Sequence, residues 1–448
     1  MGRYITAEGW IVTDGTYAKR EYRAYVPHPL AGWSPSVSAD MMSSLNSASE
    51  ALASLTSRRS AAAGLGEWMT ARDESIRSSA IEGVHSTAAG LAWAHYRAAA
   101  GLPVSDDNDA LTLGASRQVD AAVGLGRMMR SGHRCSPDDV LALHKTLFSG
   151  TRDEPTGGHL RDCPMWVGPP GAPISAATFV APPQQAVPEL LEDLIDYING
   201  QEHPPVIQAA VAHAQFETIH PFEDGNGRTG RALIQTVLNA RSAVDGSVPV
   251  SAALNNDTRL YYSALRSAQR VVCPSGDHTA RDAALLPWLD LFRGACEAAV
   301  AESLAVNDAI ESVVASWQSR VQARAGSSAR ALMDALPSMP VLDVNSAAQR
   351  LAVSNRSARR AIETLEAAGI VVSSGTRRNR RYRADEMIDV LRRVTPDGGR
   401  SSGWRDPAPP SPPPELPLAQ PLCTHTGVRS KRRCVLAYGH AGDHRYNR

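Results

Sequence analysis

Apolar residues recur at helical spacing over most of the chain between residues 39 and 324, and glycine or proline rarely interrupts them. Residues 1–35 contain strand-like stretches. Residues 156–183 contain so many Gly and Pro residues that they predict loops with one short hairpin. The pattern therefore predicts a mainly α protein. The predicted helical segments are 39–99, 109–130, 137–147, 187–199, 206–219, a run after Asn226, and 284–324.

Shorter elements follow a boundary near residue 326. Two short helices that start at Asn345 and Ser354, with alternating segments after them, predict a compact unit of three helices and a β-hairpin that ends near residue 393. Proline is frequent in residues 394–420, which have too little apolar surface to fold. This composition predicts a semi-rigid linker.

Charge is distributed unevenly along the 448 residues, although the net charge is zero. Residues 1–326 carry a net charge of −9, whereas residues 327–393 and 421–448 carry +5 each. A basic C-terminal third predicts an anionic partner for that part of the chain. No apolar run is long enough for a membrane helix and no signal peptide pattern is present, so we predict a cytoplasmic protein. The six scattered cysteines predict free thiols or metal ligands.

The segment HPFEDGNGRTGR lies between two predicted helices and combines residue types that handle phosphate. Asn226 is at or near the start of the second helix, where Asn is a favoured cap and where unpaired amides bind anions. Gly225 and Gly227 leave the backbone open to close approach by a phosphate. Arg228 and Arg231 are three residues apart, so they lie on one helix face and can reach the same anion.

Two further residues of this segment suit metal binding and proton transfer. Asp224 offers a carboxylate oxygen, the ligand type that Mg²⁺ uses together with substrate phosphates. His220 can act as a base at neutral pH, because an ordinary histidine pKa is about 6.5. Phosphoryl-type transfer needs mainly positioning and charge stabilisation, so the segment predicts an active site of this class. The alternative is a helix–loop–helix in which Arg228 and Asp224 form surface ion pairs.

The segment resembles the signature of the Fic family and matches the pattern H-x-F-x-[DE]-G-N-G-R-x-x-R at every position. The resemblance implies an all-α catalytic body that transfers AMP from ATP to a protein hydroxyl. It implies that His220 deprotonates the target Ser, Thr or Tyr and that Asp224 binds Mg²⁺. The implied nucleotide site consists of Gly225, Asn226 and Gly227 as the anion hole, with Arg228 and Arg231 on the β- and γ-phosphates.

The same resemblance assigns roles to other positions. Phe222 is expected to plug the loop into the core, and Gly227 favours adenylylation over other uses of a nucleotide. The hairpin around Thr178, Phe179 and Val180 is similar to the family's flap, where a target strand docks by backbone pairing.

An inhibitory motif is predicted upstream, in the stretch SSAIEG. Ser78 and Glu82 are four residues apart and therefore share one helix face, and Gly83 is expected to end that helix. The stretch resembles the family's inhibitory motif [ST]-x-x-x-E-[GN], which implies that Glu82 pairs with Arg231 in the place of the γ-phosphate. The alternative is a solvated Ser–Glu pair.

Tyr261 and Tyr262 lie where relatives often place residues that line the base pocket. The alternative, aromatic residues in the core of a helix, is at least as well supported by the sequence.

The unit that follows residue 326 resembles a winged helix-turn-helix. Arginines of its second short helix could enter a major groove while the tip of the hairpin contacts phosphate. A role in dimerisation or target docking is the alternative. The candidate DNA contacts are Arg356, Arg359 and Arg360 on the helix and Arg377, Arg378 and Arg380 at the basic tip, which also includes Arg381.

The C-terminal tail contains two cysteines and two histidines, a set that suits tetrahedral Zn²⁺. The spacing between the histidines is typical of zinc fingers, whereas the spacing between the cysteines is not. A disordered basic tail is the alternative. The candidate zinc ligands are Cys423, Cys434, His440 and His444.

Together these patterns predict an all-α Fic-type body with a small β-hairpin flap and a small α+β winged-helix domain. We predict an autoinhibited protein adenylyltransferase that uses ATP and Mg²⁺, and a homodimer is a further expectation. The alternatives are a nucleotide-sensing transcription regulator with vestigial catalysis, and an enzyme that uses another donor or removes AMP. The predicted segments are an N-terminal inhibitory region (1–108), a catalytic core (109–300), a connecting helix (301–326), a winged helix (327–393), a linker (394–420) and a basic tail (421–448).

Overall fold

The computed structural model describes residues 2–13, 16–57, 63–168, 173–269, 279–321, 323–376 and 380–394. Helices dominate, which confirms the predicted mainly α fold class. The helices are α1 Ala39–Ser57, α2 Ala63–Ile81, α3 Ala88–Ala99, α4 Asp107–Arg130, α5 Pro137–Phe148, α6 Val187–Asn199, α7 Pro205–Ile219, α8 Asn226–Ala240, α9 Val250–Asn256, α10 Thr258–Gln269, α11 Thr279–Arg320, α12 Ser328–Ala335, α13 Val344–Leu351, α14 Asn355–Ala367 and α15 Asp385–Val394. The strands are β1 Gly2–Thr13, β2 Thr16–Pro27, β3 Trp166–Val167, β4 Phe179–Val180, β5 Val341–Leu342, β6 Val372–Ser374 and β7 Arg381–Arg383.

Local capping explains several helix boundaries. Ser136 and Asp139 form a reciprocal capping box at the start of α5, and Pro137 occupies its first turn. The helix predicted over residues 284–324 has different bounds in the structure. Helix α11 begins at Thr279, ends at Arg320 and continues through Pro287. A proline inside a helix removes one backbone donor. Here Trp288 lies fully in the core next to it, so tertiary packing outweighs the local preference.

Helix α7 is the central element of the larger hydrophobic cluster, and nearly all of its side chains are buried. Helices α1, α6, α8, α10 and α11 surround it. A helix that is apolar on every side is shielded from water only when other elements pack around it. The turn between α7 and α8 is consequently held at both ends by buried helices, and this turn contains the predicted active site.

A second hydrophobic cluster joins the C-terminal unit to the rest of the chain. It contains Met69 and Ile76 from α2, Trp317 from α11, and Leu336 and Leu365 from the C-terminal unit. Strands β5, β7 and β6 form an antiparallel sheet in that spatial order. Helices α12, α13 and α14 precede the β6–β7 hairpin, whereas β5 and the final helix α15 were not predicted. The unit packs on α2, α3 and α11.

Two small antiparallel hairpins accompany the helices. In the first, β1 and β2 pair along their whole length, from Gly2 opposite Pro27 to Thr13 opposite Thr16. In the second, β3 and β4 form the predicted flap hairpin. Among the described residues, no helix combines the length and the apolar character needed to cross a bilayer.

Two glycines of α4 provide a matched test of the helix packing. A Cβ added at Gly126 would lie 2.5 Å from the Thr236 backbone oxygen of α8, whereas one at Gly124 would meet no atom within 4 Å. We expect Gly126→Ala to lower the free energy of unfolding by about 1–3 kcal/mol, because the two helix backbones must separate. Gly124→Ala should raise it by about 0.5–1 kcal/mol, because alanine favours the helix. Urea unfolding measures both, and shifts of equal sign would contradict this close packing.

Candidate active site

His220 ends helix α7 in a left-handed conformation, with φ 51° and ψ 62°. This region is uncommon for residues other than glycine, so tertiary contacts must hold it. Burial, followed by the positive charge of Arg161, lowers the pKa of His220 to about 4. The imidazole is therefore neutral at pH 7 and can accept a proton.

The turn after His220 is anchored through Phe222, which is fully buried as predicted. Its ring stacks on His144 with centroids 3.6 Å apart and planes within 4°. The backbone N–H of Phe222 donates to Asn226 Oδ1 at 2.9 Å, and Asn226 Nδ2 donates to the Phe222 carbonyl at 2.8 Å. His144 Nδ1 accepts from the Gly158 amide at 2.9 Å, so its Nε2–H donates to the Asp224 carbonyl at 2.9 Å.

The cap of α8 differs from the prediction. Gly225, not Asn226, is the N-cap residue, and the Asn226 side chain points back to Phe222 instead of capping the helix. Gly225 has φ 76°, and an added Cβ would lie 2.8 Å from Leu147 Cδ2 and 3.0 Å from Phe148 Cε2. Both the backbone conformation and the lack of space require glycine here.

Arg228 has buried donors without hydrogen-bond partners beside this turn, among the described residues. Its side chain is 3% exposed, and its Nη2 donates to Asp224 Oδ1 at 3.3 Å. Within the described part of the chain, the buried Nε and Nη1 atoms have no hydrogen-bond partner. Buried donors are costly when they are left unpaired, so this guanidinium fits an anionic ligand.

Asp224 faces the same turn from a more open position. Its side chain is 43% exposed, and Oδ1 accepts the Gly225 amide at 2.5 Å. A partly exposed carboxylate next to a phosphate-binding turn has the chemistry of a Mg²⁺ ligand. The residues present therefore fit the metal that the resemblance implies.

Arg231 is 1% exposed and lies in contact with the end of α2. Its Nε donates to Ser78 Oγ at 2.9 Å, and its Nη2 donates to the Ser78 carbonyl at 2.8 Å and to Glu82 Oε1 at 2.7 Å. Burial acts to lower the pKa of Arg231, but the charge of Glu82 raises it overall, so the guanidinium stays charged. The expected contact between Glu82 and Arg231 is thus present.

The Glu82 carboxylate also covers the start of α8. A Cβ added at Gly227 would overlap Glu82 Oε1. Helix α2 ends at Ile81, and Gly83 has φ 76°, as the predicted helix stop requires. The carboxylate consequently lies at the helix N-terminus, the position that favours an anion.

Comparison with known proteins identifies the segment around this turn. Residues 134–238 match the model of the Fic/DOC family. The chain contains a Fic domain. Helices α5 to α7 and nearly all of α8 lie within its limits, as do both flap strands.

Relatives of the Fic domain include the Protein adenylyltransferase fic-1 of Caenorhabditis briggsae, 28% identical over 172 residues, and that of Caenorhabditis elegans, 32% identical over 137 residues. The first alignment covers 38% of this chain and 30% of the relative, and the second covers 30% and 24%. The chain thus spans less than a third of the length of these relatives. The crystal structure of a Fic family protein from Desulfovibrio desulfuricans G20 is 20% identical, with a TM-score of 0.46, and the match covers 83% of this chain and all of that one.

The flap of the Fic domain is short. Val167 pairs with Phe179, and the Thr178 amide donates to the Val167 carbonyl at 2.7 Å. Phe179 is buried against Tyr25 of β2, with ring centroids 6.1 Å apart. The Phe179 side chain therefore anchors the flap to the N-terminal hairpin.

The two predicted base-pocket tyrosines differ in their surroundings. Tyr261 is 1% exposed, and its hydroxyl contacts His213 Nε2 at 2.8 Å and Arg231 Nη1 at 3.4 Å. This placement matches the alternative of a core aromatic. Tyr262 is exposed, and its hydroxyl donates to the Ile81 carbonyl at 3.4 Å, beside the end of α2.

Three residues near the site were not singled out from the sequence. Arg161 contacts the backbone of His220, and His144 holds the Asp224 carbonyl. Burial raises the pKa of Glu217 to about 8, so this residue is largely neutral at pH 7. Of these three residues, only Glu217 could have been found from the sequence. It is the one acid in the apolar run VIQAAVAHAQFETI, and an unpaired charge is rarely buried.

A second group of potential metal ligands lies next to the catalytic turn. Asp162, Cys163 and Glu223 each place one ligand atom within 4.8 Å of the others. Burial, followed by the charge of Glu223, raises the pKa of the Cys163 thiol to about 12, so the thiol stays protonated in the metal-free protein. Asp224 shares a turn with Arg228 and is the better candidate for a phosphate-bound Mg²⁺.

The predicted DNA contacts are only partly within the described residues. Arg356, Arg359 and Arg360 are exposed in the first two turns of α14, and Arg380 is also exposed. Arg381 was wrongly placed at the basic tip. Its guanidinium lies 5.3 Å from the Trp93 ring centroid and 5.8 Å from that of Tyr96, because β5, the sheet neighbour of β7, and α15 pack against α3. Arg377, Arg378 and the four candidate zinc ligands Cys423, Cys434, His440 and His444 lie outside the described residues.

The buried ion pair between Glu82 and Arg231 provides a stability test. We expect Glu82→Gln to lower the free energy of unfolding of the nucleotide-free protein by about 1–2 kcal/mol, because the buried guanidinium loses its counter-charge. Glu297→Gln is the matched control, since Glu297 pairs with Arg293 at 2.8 Å on the surface. That change should cost less than about 0.5 kcal/mol. Equal losses in thermal or urea unfolding would show that burial of Arg231 does not depend on Glu82.

Proposed function

We propose that this chain is an autoinhibited protein adenylyltransferase that transfers AMP from ATP to Ser, Thr or Tyr hydroxyls of a protein target, itself included. One observation carries the proposal. Arg228 keeps buried, unpaired donors at the start of α8 among the described residues, while the Glu82 carboxylate covers the same helix end at Gly227. A site with this charge and geometry suits a polyphosphate. The names of the aligned relatives support adenylyl transfer as the reaction.

His220 is the base of the proposed reaction. Its neutral imidazole takes the proton of the target hydroxyl while that oxygen attacks the α-phosphorus of ATP. The bond from the α-phosphorus to the bridging oxygen breaks, and pyrophosphate leaves. Backbone amides at the start of α8 and the Arg228 guanidinium stabilise the phosphate charge. Asp224 would hold Mg²⁺, which neutralises phosphate charge when it is bound.

Inhibition in this proposal is a competition for one cation. Arg231 is already bonded to Ser78 and Glu82 of the α2 end, so a γ-phosphate must displace the Glu82 carboxylate to reach it. The two anions cannot share the small volume above Gly227. The Ser78 contacts are to a hydroxyl and a carbonyl and can persist when Glu82 leaves.

Release of this inhibition is the main test of the proposed function. We expect Glu82→Gly to incorporate label from α-labelled ATP at least about tenfold faster than the wild type, because Arg231 becomes free to bind phosphate. Adding His220→Ala should then lower the rate by about 10²–10⁴-fold, because the base is lost. Mass spectrometry of the modified residues, with the Glu297→Gly protein as the matched control, measures both effects.

The possible outcomes separate the alternatives. Incorporation that is equal in Glu82→Gly and wild type would refute the inhibitory role of Glu82. If Glu82→Gly binds no Mg·ATP in calorimetry, the adenylyltransferase proposal itself is wrong. Faster labelling from another nucleotide, or loss of AMP from a pre-modified protein, would identify the other enzymatic alternatives. Nucleotide binding without His220-dependent labelling would favour a nucleotide-sensing regulator.

We further propose that the C-terminal unit binds double-stranded DNA. Arg356, Arg359 and Arg360 are exposed on one short stretch of α14. The ion pairs found among the described residues include none of these three arginines. Three unpaired guanidinium groups at the start of a helix suit phosphate and base edges in a major groove. Exposed, unpaired arginines are also compatible with dimerisation or target docking. The salt dependence of duplex binding distinguishes DNA binding from these two roles.

Arg359→Ala is expected to weaken binding of a duplex and to reduce the slope of log affinity against log salt by about one. Arg293→Ala on α11 is the matched control, because it removes a partly exposed arginine outside this unit, and it should change neither quantity. Fluorescence anisotropy over a salt series measures both. Absence of duplex binding at low salt would contradict the proposal.

A further inference from the structure

Arg161 connects the flap to the catalytic turn through backbone carbonyls. Its Nε donates to the His220 carbonyl at 2.7 Å, and its Nη2 donates to the Ile219 carbonyl at 3.3 Å. The same guanidinium donates from Nη1 to the Cys163 carbonyl at 2.9 Å and from Nη2 to the Pro182 carbonyl at 2.6 Å. Cys163 precedes β3 and Pro182 follows β4, so both ends of the flap are held by one side chain.

These contacts nearly exhaust the donors of Arg161. A guanidinium has five N–H groups, and four carbonyl contacts leave one of them. The side chain is 4% exposed, and its backbone amide also donates to the Pro221 carbonyl at 3.0 Å. Arg161 therefore has little capacity to bind phosphate, unlike Arg228, and its contacts suit a role in positioning.

His220 needs such a support because of its backbone conformation. A left-handed residue with a side chain is disfavoured, and it relaxes when the contacts that hold it are lost. Arg161 binds the carbonyl of His220 itself and those of both its chain neighbours. A planar fork is needed to reach carbonyls in several directions, which lysine cannot do.

We propose that Arg161 is a positioning residue that ties the target-docking flap to His220, so that a target strand paired with the flap and the catalytic base keep one fixed geometry. This inference rests on the proposed function for its consequence in catalysis. The structural part of the inference, that Arg161 holds both the flap and His220, does not depend on that function. Loss of the anchor should loosen both elements together.

The positive charge of Arg161 also affects the pKa of His220, and this effect can be measured separately from the positioning role. A nearby cation disfavours the protonated imidazole, so removal of the charge must raise the pKa of His220 from about 4. A hydrogen bond to the Glu217 backbone and the negative charges of Glu82 and Asp224 act on the pKa of His220 in the opposite direction. All variants are therefore compared in the same Glu82→Gly background.

Arg161→Gln and Arg161→Lys are the informative pair, because glutamine removes the charge whereas lysine keeps it and loses the fork. We expect both to lower kcat by about 10–100-fold, with KM for ATP little changed, because the base is misplaced. Only Arg161→Gln should move the acid limb of the pH–rate profile upward, by about one pH unit. Hydrogen exchange should rise together in residues 163–167, 179–182 and 219–222 of both variants.

Arg281→Gln is the matched control, since this buried arginine contacts Trp33 and the Pro29 carbonyl and has no hydrogen bond to the flap or to the catalytic turn among the described residues, and it should change none of these readouts. NMR titration of His220, assigned by its loss in His220→Ala, follows the pKa shift without any need for activity. An unchanged His220 midpoint together with unchanged flap exchange in Arg161→Gln overturns the inference. If no variant incorporates AMP, the proposed function fails, and these two measurements still decide the role of Arg161.

Discussion

A buried positive charge controls the arrangement of this molecule around the start of α8. Arg231 is almost completely removed from water, and a guanidinium in that position must be compensated by an anion and by hydrogen bonds. The end of α2 supplies both, through Glu82 and Ser78. The same requirement brings α2 onto α8 and, in the proposed function, favours an anionic ligand when Glu82 is displaced.

Helix α2 also connects the two hydrophobic clusters. Its end contributes Ile81 to the cluster around α7, and its middle contributes Met69 and Ile76 to the cluster of the C-terminal unit. Tyr96 of the following helix α3 donates to the Asp343 carboxylate, which caps α13. The C-terminal unit and the turn between α7 and α8 are therefore linked through α2, and α3 adds a further contact to the C-terminal unit.

Much of the helical architecture was predictable because burial imposes a strong periodicity. The bounds of α6 were predicted at both ends, and those of α5 to within a residue. The predictions for Asn226 and Arg381 went wrong for a different reason. Local preference favours Asn at a helix cap and arginine at an exposed tip, whereas the neighbouring Phe222 backbone and the Trp93 ring offered these side chains other partners.

The sequence by itself determined the helical class and the turn with its histidine, acid, glycines and arginines, because these follow from residue type and local spacing. The pairing of Glu82 with Arg231, which are 149 residues apart, was implied by the resemblance to the family's inhibitory motif and not by spacing. Only the tertiary structure decided that Arg161 and His144 hold the catalytic turn and that Tyr261 lies in the core. Those roles depend on contacts between segments far apart in the chain, and no spacing within either segment records them.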